Sequence, residues 1–279
     1  MASVEQVIAP PRRGFTVDWG ELWRYRDLFL VLAWRDVAVR YKQAVLGFLW
    51  AILQPLVTMV VFTFVFNGMG KIESGDGSPY PLFLYVGLLL WQLFSGSLVG
   101  AANSMVANAG MIQKVYFPRL ILPVTAVTTS LVDLAAASVV LAGMMIYYRF
   151  VPGAVGLLIL PLLILATALV ALGFGLFTAA LNVRYRDVRH AVPFVVQVMM
   201  FVTPVVYPVT MLDGHPLVKS LMLWLNPMTG IVTNSRAAIL GNSPVDWGIM
   251  GISLVSSAVV FVLGLWYFRA TESYFADMV

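Results

Sequence analysis

Phe150 to Val183 reads FVPGAVGLLILPLLILATALVALGFGLFTAALNV, a run without a single Asp, Glu, Lys or Arg. About 20 predominantly apolar residues cross the ~30 Å hydrocarbon core of a bilayer, so this stretch is long enough to span one. Equivalent charge-free runs lie at Gln43 to Gly70, Gly77 to Gln113, His190 to Leu212 and Trp247 to Phe268, and a sixth from Leu120 to Tyr148 is interrupted only by Asp133. Composition agrees. Hydrophobic residues make up 61% and charged residues 11% of the 279 residues, whereas a soluble domain carries roughly 25% charged residues. The expected fold is an all-α polytopic membrane protein with six transmembrane helices.

The segments between the spans carry the charge. With six spans, both ends of the chain fall on one side together with Arg12, Arg13, Arg24, Arg26, Arg35, Arg40, Lys42, Lys114, Arg119, Arg184, Arg186, Arg189 and Arg269, and only Lys71, Arg149, Lys219 and Arg236 fall on the other. The positive-inside rule then puts both termini in the cytoplasm. The net charge of +4 is thereby a topology signal and not a mark of nucleic-acid binding. Ser220 to Ser235 is also uncharged, and counting it as a seventh span leaves the charge split unchanged. It is short and broken by Asn226-Pro227, Gly230 and Asn234, which fits an outer re-entrant helical hairpin, about 213–245, better than a crossing.

Residues 1–45 read as a cytoplasmic N-terminal and interfacial helical segment, and 46–279 as the six-span transmembrane domain. No apolar leader precedes the first span, so the N-terminal segment is expected to stay attached. Within it Leu22, Tyr25, Phe29 and Leu32 recur at helical spacing, with Asp18 and Glu21 placed as a capping box. The expectation is an amphipathic helix in the interface, or else a packing helix.

The same composition limits chemistry. Cysteine is absent and only His190 and His215 are present, so no zinc-ligand spacing exists and no metal site is expected. No catalytic residues are expected either. Asp133 is the one carboxylate within the spans, and Ser95-Gly96-Ser97 has no histidine beside it, so the glycine and serines read as close-packing residues. Gly68-Met69-Gly70-Lys71 is followed by Ile72 and preceded by Val65 at the first glycine position, which does not make a phosphate loop. ATP hydrolysis is therefore not expected of this chain. A helix-length count from Arg119 puts Asp133 about 21 Å along its span, near mid-membrane and without a basic residue at that depth, where it serves either as a bonded structural group or in passage of a substrate.

Several motifs then take on a family pattern. Arg35-Asp36-Val37-Ala38-Val39-Arg40-Tyr41-Lys42, followed by Leu46-Gly47, Trp50 and Gln54-Pro55, resembles the segment leading into the first span of polysaccharide ABC exporter permeases. Lys114-Val115-Tyr116-Phe117-Pro118-Arg119 with Pro123, and Leu181-Asn182-Val183-Arg184-Tyr185-Arg186-Asp187-Val188, match the loops after the second and fourth spans. Thr203-Pro204-Val205-Val206-Tyr207-Pro208 and Leu225-Asn226-Pro227-Met228 match the outer elements. The likeness covers nearly the whole chain and is of the Wzm and TarG type, closer to O-antigen exporters than to the capsule branch.

The resemblance implies a homodimer joined to two cytoplasmic ABC ATPase subunits, with ATP and Mg on those subunits, no cofactor on this chain, and a polyprenyl-linked polysaccharide as substrate in a bacterial inner membrane. Teichoic acid, capsule, and a small lipid or drug are the alternative cargoes, and a gradient-driven carrier or a membrane enzyme the alternative classes. Gln113 to Arg119 is expected to form a short helix, ended by Pro118, that couples to the ATPase through Lys114, Tyr116, Phe117 and Arg119, with Arg184, Arg186 and Arg189 as further contacts. Arg35, Arg40 and Lys42 are expected to meet the phosphates of the lipid-linked substrate or of ordinary lipid. Sugar rings stack their C–H faces on aromatic rings, so Phe62, Phe66, Phe201 and Tyr207 are the expected conduit residues, on the first and fifth spans.

Overall fold

The computed structural model describes residues 18–42, 47–272 and 275. Arg12, Arg13 and Leu46, which entered the charge count and the family pattern, lie outside the described residues. The described residues form a bundle of helices: α1 (Trp19–Arg24), α2 (Arg26–Lys42), α3 (Leu49–Phe62), α4 (Tyr80–Ala107), α5 (Ala109–Ile112), α6 (Ile121–Tyr148), α7 (Ala154–Arg184), α8 (Val188–Val202), α9 (Pro216–Leu225), α10 (Pro227–Leu240) and α11 (Trp247–Thr271). A π-helical stretch, Thr63–Met69, prolongs α3. Five helices are long and apolar enough to cross a bilayer: α3 with its prolongation, α4, α6, α7 and α11.

The fifth charge-free run differs from its expected form. Its helix, α8, has only 15 residues, about 22 Å at 1.5 Å per residue. Pro204 supplies no N–H and disfavours a helical Thr203, and Thr203 is accordingly extended (φ −77°, ψ 140°). The chain then turns through Thr203–Pro208 into a short 3-10 helix, Val209–Leu212. The broken segment has the expected form of a helical pair. Asn226 separates α9 from α10 and caps α10, accepting from Met228 N at 3.1 Å while its amide donates to Thr203 Oγ1 at 2.8 Å.

Packing is organised around α4, which is buried along most of its length between α6 and α7. Helix α11 packs on α7, and α10 wedges against α4, α7 and α11. A second apolar cluster joins Leu32, Met105, Phe117, Leu120, Leu176 and Phe268 at the end of the bundle where α1, α2 and the loops 108–120 and 185–187 meet. This near end is tied by Asn182 Nδ2 to Ala102 O at 2.9 Å and by Arg119 to the Glu272 carbonyl. The opposite, far end holds residues 70–79, 149–153 and 203–246.

The N-terminal helices follow the sequence pattern with one addition. Asp18 caps α1 by accepting from Glu21 N at 2.9 Å, and Leu22, Tyr25, Phe29 and Leu32 pack on the near-end cluster. The other face carries Trp19, Trp23 and Trp34, all exposed. Indole at a helix surface is favoured where an apolar ring meets a wet boundary, so α1 and α2 are apolar toward the bundle and aromatic away from it.

Candidate functional site

Three places hold the residues singled out from the sequence. The first is an aromatic wall. Helix α3 is the span least covered by its own chain, and its Phe62 lies edge-on to Phe66 with ring centroids 5.5 Å apart and 6.2 Å from the ring of Phe201 on α8. Three of the four expected conduit residues thus form one cluster. Tyr207 sits beyond the end of α8, where its hydroxyl donates to Val202 O at 2.9 Å. Phe194, Val198 and Phe201 leave the α8 face exposed, as do Val57 and Val61 on α3 and Phe64 on its π-helical prolongation.

The second is the near-end loop after α4. The expected helix over Gln113 to Arg119 is displaced: the helical turn is Ala109–Ile112, and Gln113 onward is turn and extended chain. Phe117 explains the shift, because its ring is drawn into the near-end cluster and is only 3% exposed, and Pro118 is buried beside it. Lys114 and Tyr116 stay exposed. The Tyr116 hydroxyl donates to Glu21 Oε1 at 3.2 Å. Partial burial, and then the Glu21 carboxylate, push this phenol above its ordinary pKa. Arg119 faces the end of α11, bonded to the Glu272 carbonyl with its guanidinium 5.9 Å from the Phe275 ring. Arg184, Arg186 and Arg189 are exposed at the junction of α7 and α8. They occupy the same end of the bundle as Lys114 and Tyr116.

The third is the α2 segment, where the structure supplies what the depth count on one helix left out. Arg40 and the Tyr41 hydroxyl both bond the Asp133 carboxylate. Asp133 therefore has a basic partner, because α2 runs alongside α6. One turn earlier Asp36 accepts from Thr125 Oγ1 at 3.0 Å and from Arg35 at 2.7 Å, while Arg35 also donates to Asn108 Oδ1 at 2.8 Å. Arg35 and Arg40 thus each have a partner within the chain, and Lys42 is exposed. A cleft of about 410 Å³ opens beside the Arg40–Asp133 pair, between α2, α3, α4 and α6. Among the described residues no group of three or more His, Cys, Asp or Glu side chains is placed to hold a metal.

One polar residue of consequence carried no functional reading in the sequence. Arg236, on α10, is buried and donates to three backbone carbonyls, those of Phe83, Pro204 and Val205. Its guanidinium lies 3.5 Å from the centre of the Phe83 ring. It joins α10 to α4 and to the turn that ends α8. In the sequence it was one of four basic residues on the outer side, and a lone Arg within an apolar helical segment was the available signal.

The comparisons bear on the whole chain. The family model described as ABC-2 type transporter matches residues 27–240. A protein of Myxococcus xanthus named O-antigen export system permease protein RfbA is 30% identical, over 93% of this chain and 98% of that protein. One of the same name from Klebsiella pneumoniae is 26% identical over 91% and 95%. The polysialic acid transport protein KpsM of Escherichia coli is 23% identical over 85% and 91%. The matched stretch runs from α2 through α10 and takes in the aromatic wall, the near-end loop and the α2–α6 contact, and on this footing the chain belongs to the ABC-2 type transporter family.

Proposed function

We propose that this chain is the membrane-spanning permease subunit of an ATP-driven exporter that moves a lipid-linked, O-antigen-like polysaccharide out across the bacterial cytoplasmic membrane. The observation that carries the reading is the match, over more than nine tenths of both chains, to proteins named O-antigen export permeases. The aromatic wall supports it, because Phe62, Phe66 and Phe201 offer ring faces to sugar C–H groups on α3, which its own chain leaves largely uncovered, and on α8, whose Phe194, Val198 and Phe201 are exposed. Two copies facing each other through α3 and α8 would enclose such a path. The charge distribution favours a cytoplasmic near end, where two separate ATPase subunits holding ATP and Mg would dock. Inside-out vesicles carrying the chain and its ATPase test the reading. ATP should drive polymer into the lumen, and vesicles that hydrolyse ATP while moving no polymer would contradict it.

The displaced loop revises the docking surface. Lys114 and Tyr116 are available to a partner, whereas Phe117 is an internal anchor. Since the chain has no cysteine, single Lys114→Cys and Tyr116→Cys variants should crosslink to the ATPase and Phe117→Cys should not. Crosslinking by the 117 variant alone would reverse the assignment.

The Arg40–Asp133 pair holds α2 on α6. With side-chain exposures of 44% and 28% it is only partly shielded, so the pair contributes about 1 kcal/mol to stability. Its larger effect is to fix where α2 runs. Asp133→Asn is expected to lower export several-fold with membrane insertion unchanged, and the swap Arg40→Asp with Asp133→Arg should recover part of it. Export unaffected by Asp133→Asn would remove the pair from the working parts.

A further inference from the structure

The cleft beside Arg40 and Asp133 has a composition that neither the aromatic wall nor the docking surface accounts for. Its lining includes Tyr41 from α2, Trp50 and Gln54 from α3, Gln92 and Ser95 from α4, and Ser130 from α6. The volume of about 410 Å³ falls within the range of small-ligand sites, about 300–1,000 Å³. Its floor is made where α4 and α6 approach closely at Gly96, whose β-carbon would lie 3.0 Å from Ser130 Oγ. Among the described residues the side-chain amides of Gln54 and Gln92 have no hydrogen-bond partner, although Gln92 is only partly exposed. Two amides offer four donors and two acceptors to whatever enters.

The charge balance selects the ligand. Among the described residues Arg40 is the one basic residue lining the cleft and Asp133 the one acidic residue, and they are bonded to each other. An arginine neutralised in this way does not favour a phosphate dianion, because the carboxylate repels the same charge that the guanidinium attracts. It still presents planar donors beside planar acceptors, the arrangement that vicinal hydroxyls fill. The half-exposed indole of Trp50 adds an apolar face on which the C–H side of a sugar ring stacks.

We infer that this cleft binds an uncharged glycosyl unit of the lipid-linked substrate, with Gln54, Gln92 and the Arg40–Asp133 pair on its hydroxyls and Trp50 on its ring face. The inference rests on the polysaccharide reading above and departs from the expectation that Arg40 meets phosphate. It gives each protomer a sugar site of its own, lined in part by the opposite end of α3 from the aromatic wall.

Ala51→Cys and Ser95→Cys place a reporter thiol on the lining of a chain that otherwise has none. The full chain with its ATPase is reconstituted, and only reporters that transport polymer are scored, which separates this test from that of the function itself. Labelling by a water-soluble thiol reagent is followed with the saccharide-bearing polyprenyl pyrophosphate, with sugar-free polyprenyl pyrophosphate and with inorganic pyrophosphate. The saccharide-bearing lipid should slow labelling about tenfold and the two sugar-free probes should not. Gln92→Ala in the reporter background should abolish the protection. Equal protection by sugar-free polyprenyl pyrophosphate would make this a phosphate or lipid site, and absence of protection in a transporting reporter would overturn the proposal.

Discussion

Arg236→Ala should destabilise the folded chain by about 3 kcal/mol or more and leave little of it in the membrane. Two buried turn carbonyls, at Pro204 and Val205, receive their donors from this one guanidinium, the first at 2.7 Å, and the helical Phe83 carbonyl accepts from it at 3.1 Å beside its own intrahelical bond. Each buried acceptor left without a donor costs about 1–3 kcal/mol. Against that stands the relief of a charge that no carboxylate pairs with among the described residues, so the net loss is smaller than the sum of the two orphaned carbonyls and the lost packing. Lysine keeps the charge but not the fork, and Arg236→Lys should recover only a fraction of the loss. Gly87 provides an independent check, because a β-carbon there would lie 2.5 Å from Arg236 Nη2 and 3.1 Å from Val205 O. Gly87→Ala should therefore reproduce the defect in part. Thermal unfolding of the detergent-solubilised chain measures both, and Arg236→Ala melting with the parent chain would show that the turn after α8 holds without it.

The second large effect is expected at the crossing of α7 and α11. A β-carbon on Gly264 would lie 2.0 Å from Gly173 O, and one on Gly173 would lie 2.7 Å from Val260 O and 2.8 Å from Phe261 N. These contacts are to backbone, which cannot rotate aside, so the two helices must separate before any side chain fits. Close approach of small residues is a main source of helix association in lipid, where the surrounding chains are as apolar as leucine. Overpacking of this kind costs about 1–3 kcal/mol for a methyl group and more for a larger one. Gly264→Ala should lower the melting temperature measurably, and Gly264→Leu should prevent accumulation of folded chain. A Gly264→Leu protein of normal stability would mean that α7 and α11 do not meet as described.

What was legible in the sequence, and what was not, follows from the kind of signal each feature leaves. Spans are set by composition over about 20 residues, and α3, α4 and α6 fall within the charge-free runs or the one broken by Asp133, while α7 and α11 overrun theirs only by Arg184 and by Arg269 to Thr271. The α9–α10 pair was visible because Asn226-Pro227 breaks an apolar segment locally. The end of α8 was missed by the same counting, since apolar residues continue through Pro204 and Val206 while the backbone has already turned. Asp133 seemed unpartnered because a depth count along one helix says nothing of which neighbour runs beside it, and its partner Arg40 is distant in sequence. Phe117 was expected to meet the ATPase as part of a coupling helix, but burial of its ring in the near-end cluster takes it off the surface. Gln54 and Gln92 left no trace in a count of charged residues. Phe62, Phe66 and Phe201 were chosen for their chemistry, and their meeting is a product of α3 lying against α8.

The most direct measurement of the central claim is thiol labelling along the aromatic wall during transport. Single cysteines in place of Phe62, Phe66, Phe201 and Tyr207, in chains that still export polymer, should react with a water-soluble reagent while ATP is turned over. Reaction should slow when polymer is halted in transit. If all four positions stay unreactive while export continues, α3 and α8 do not line the path.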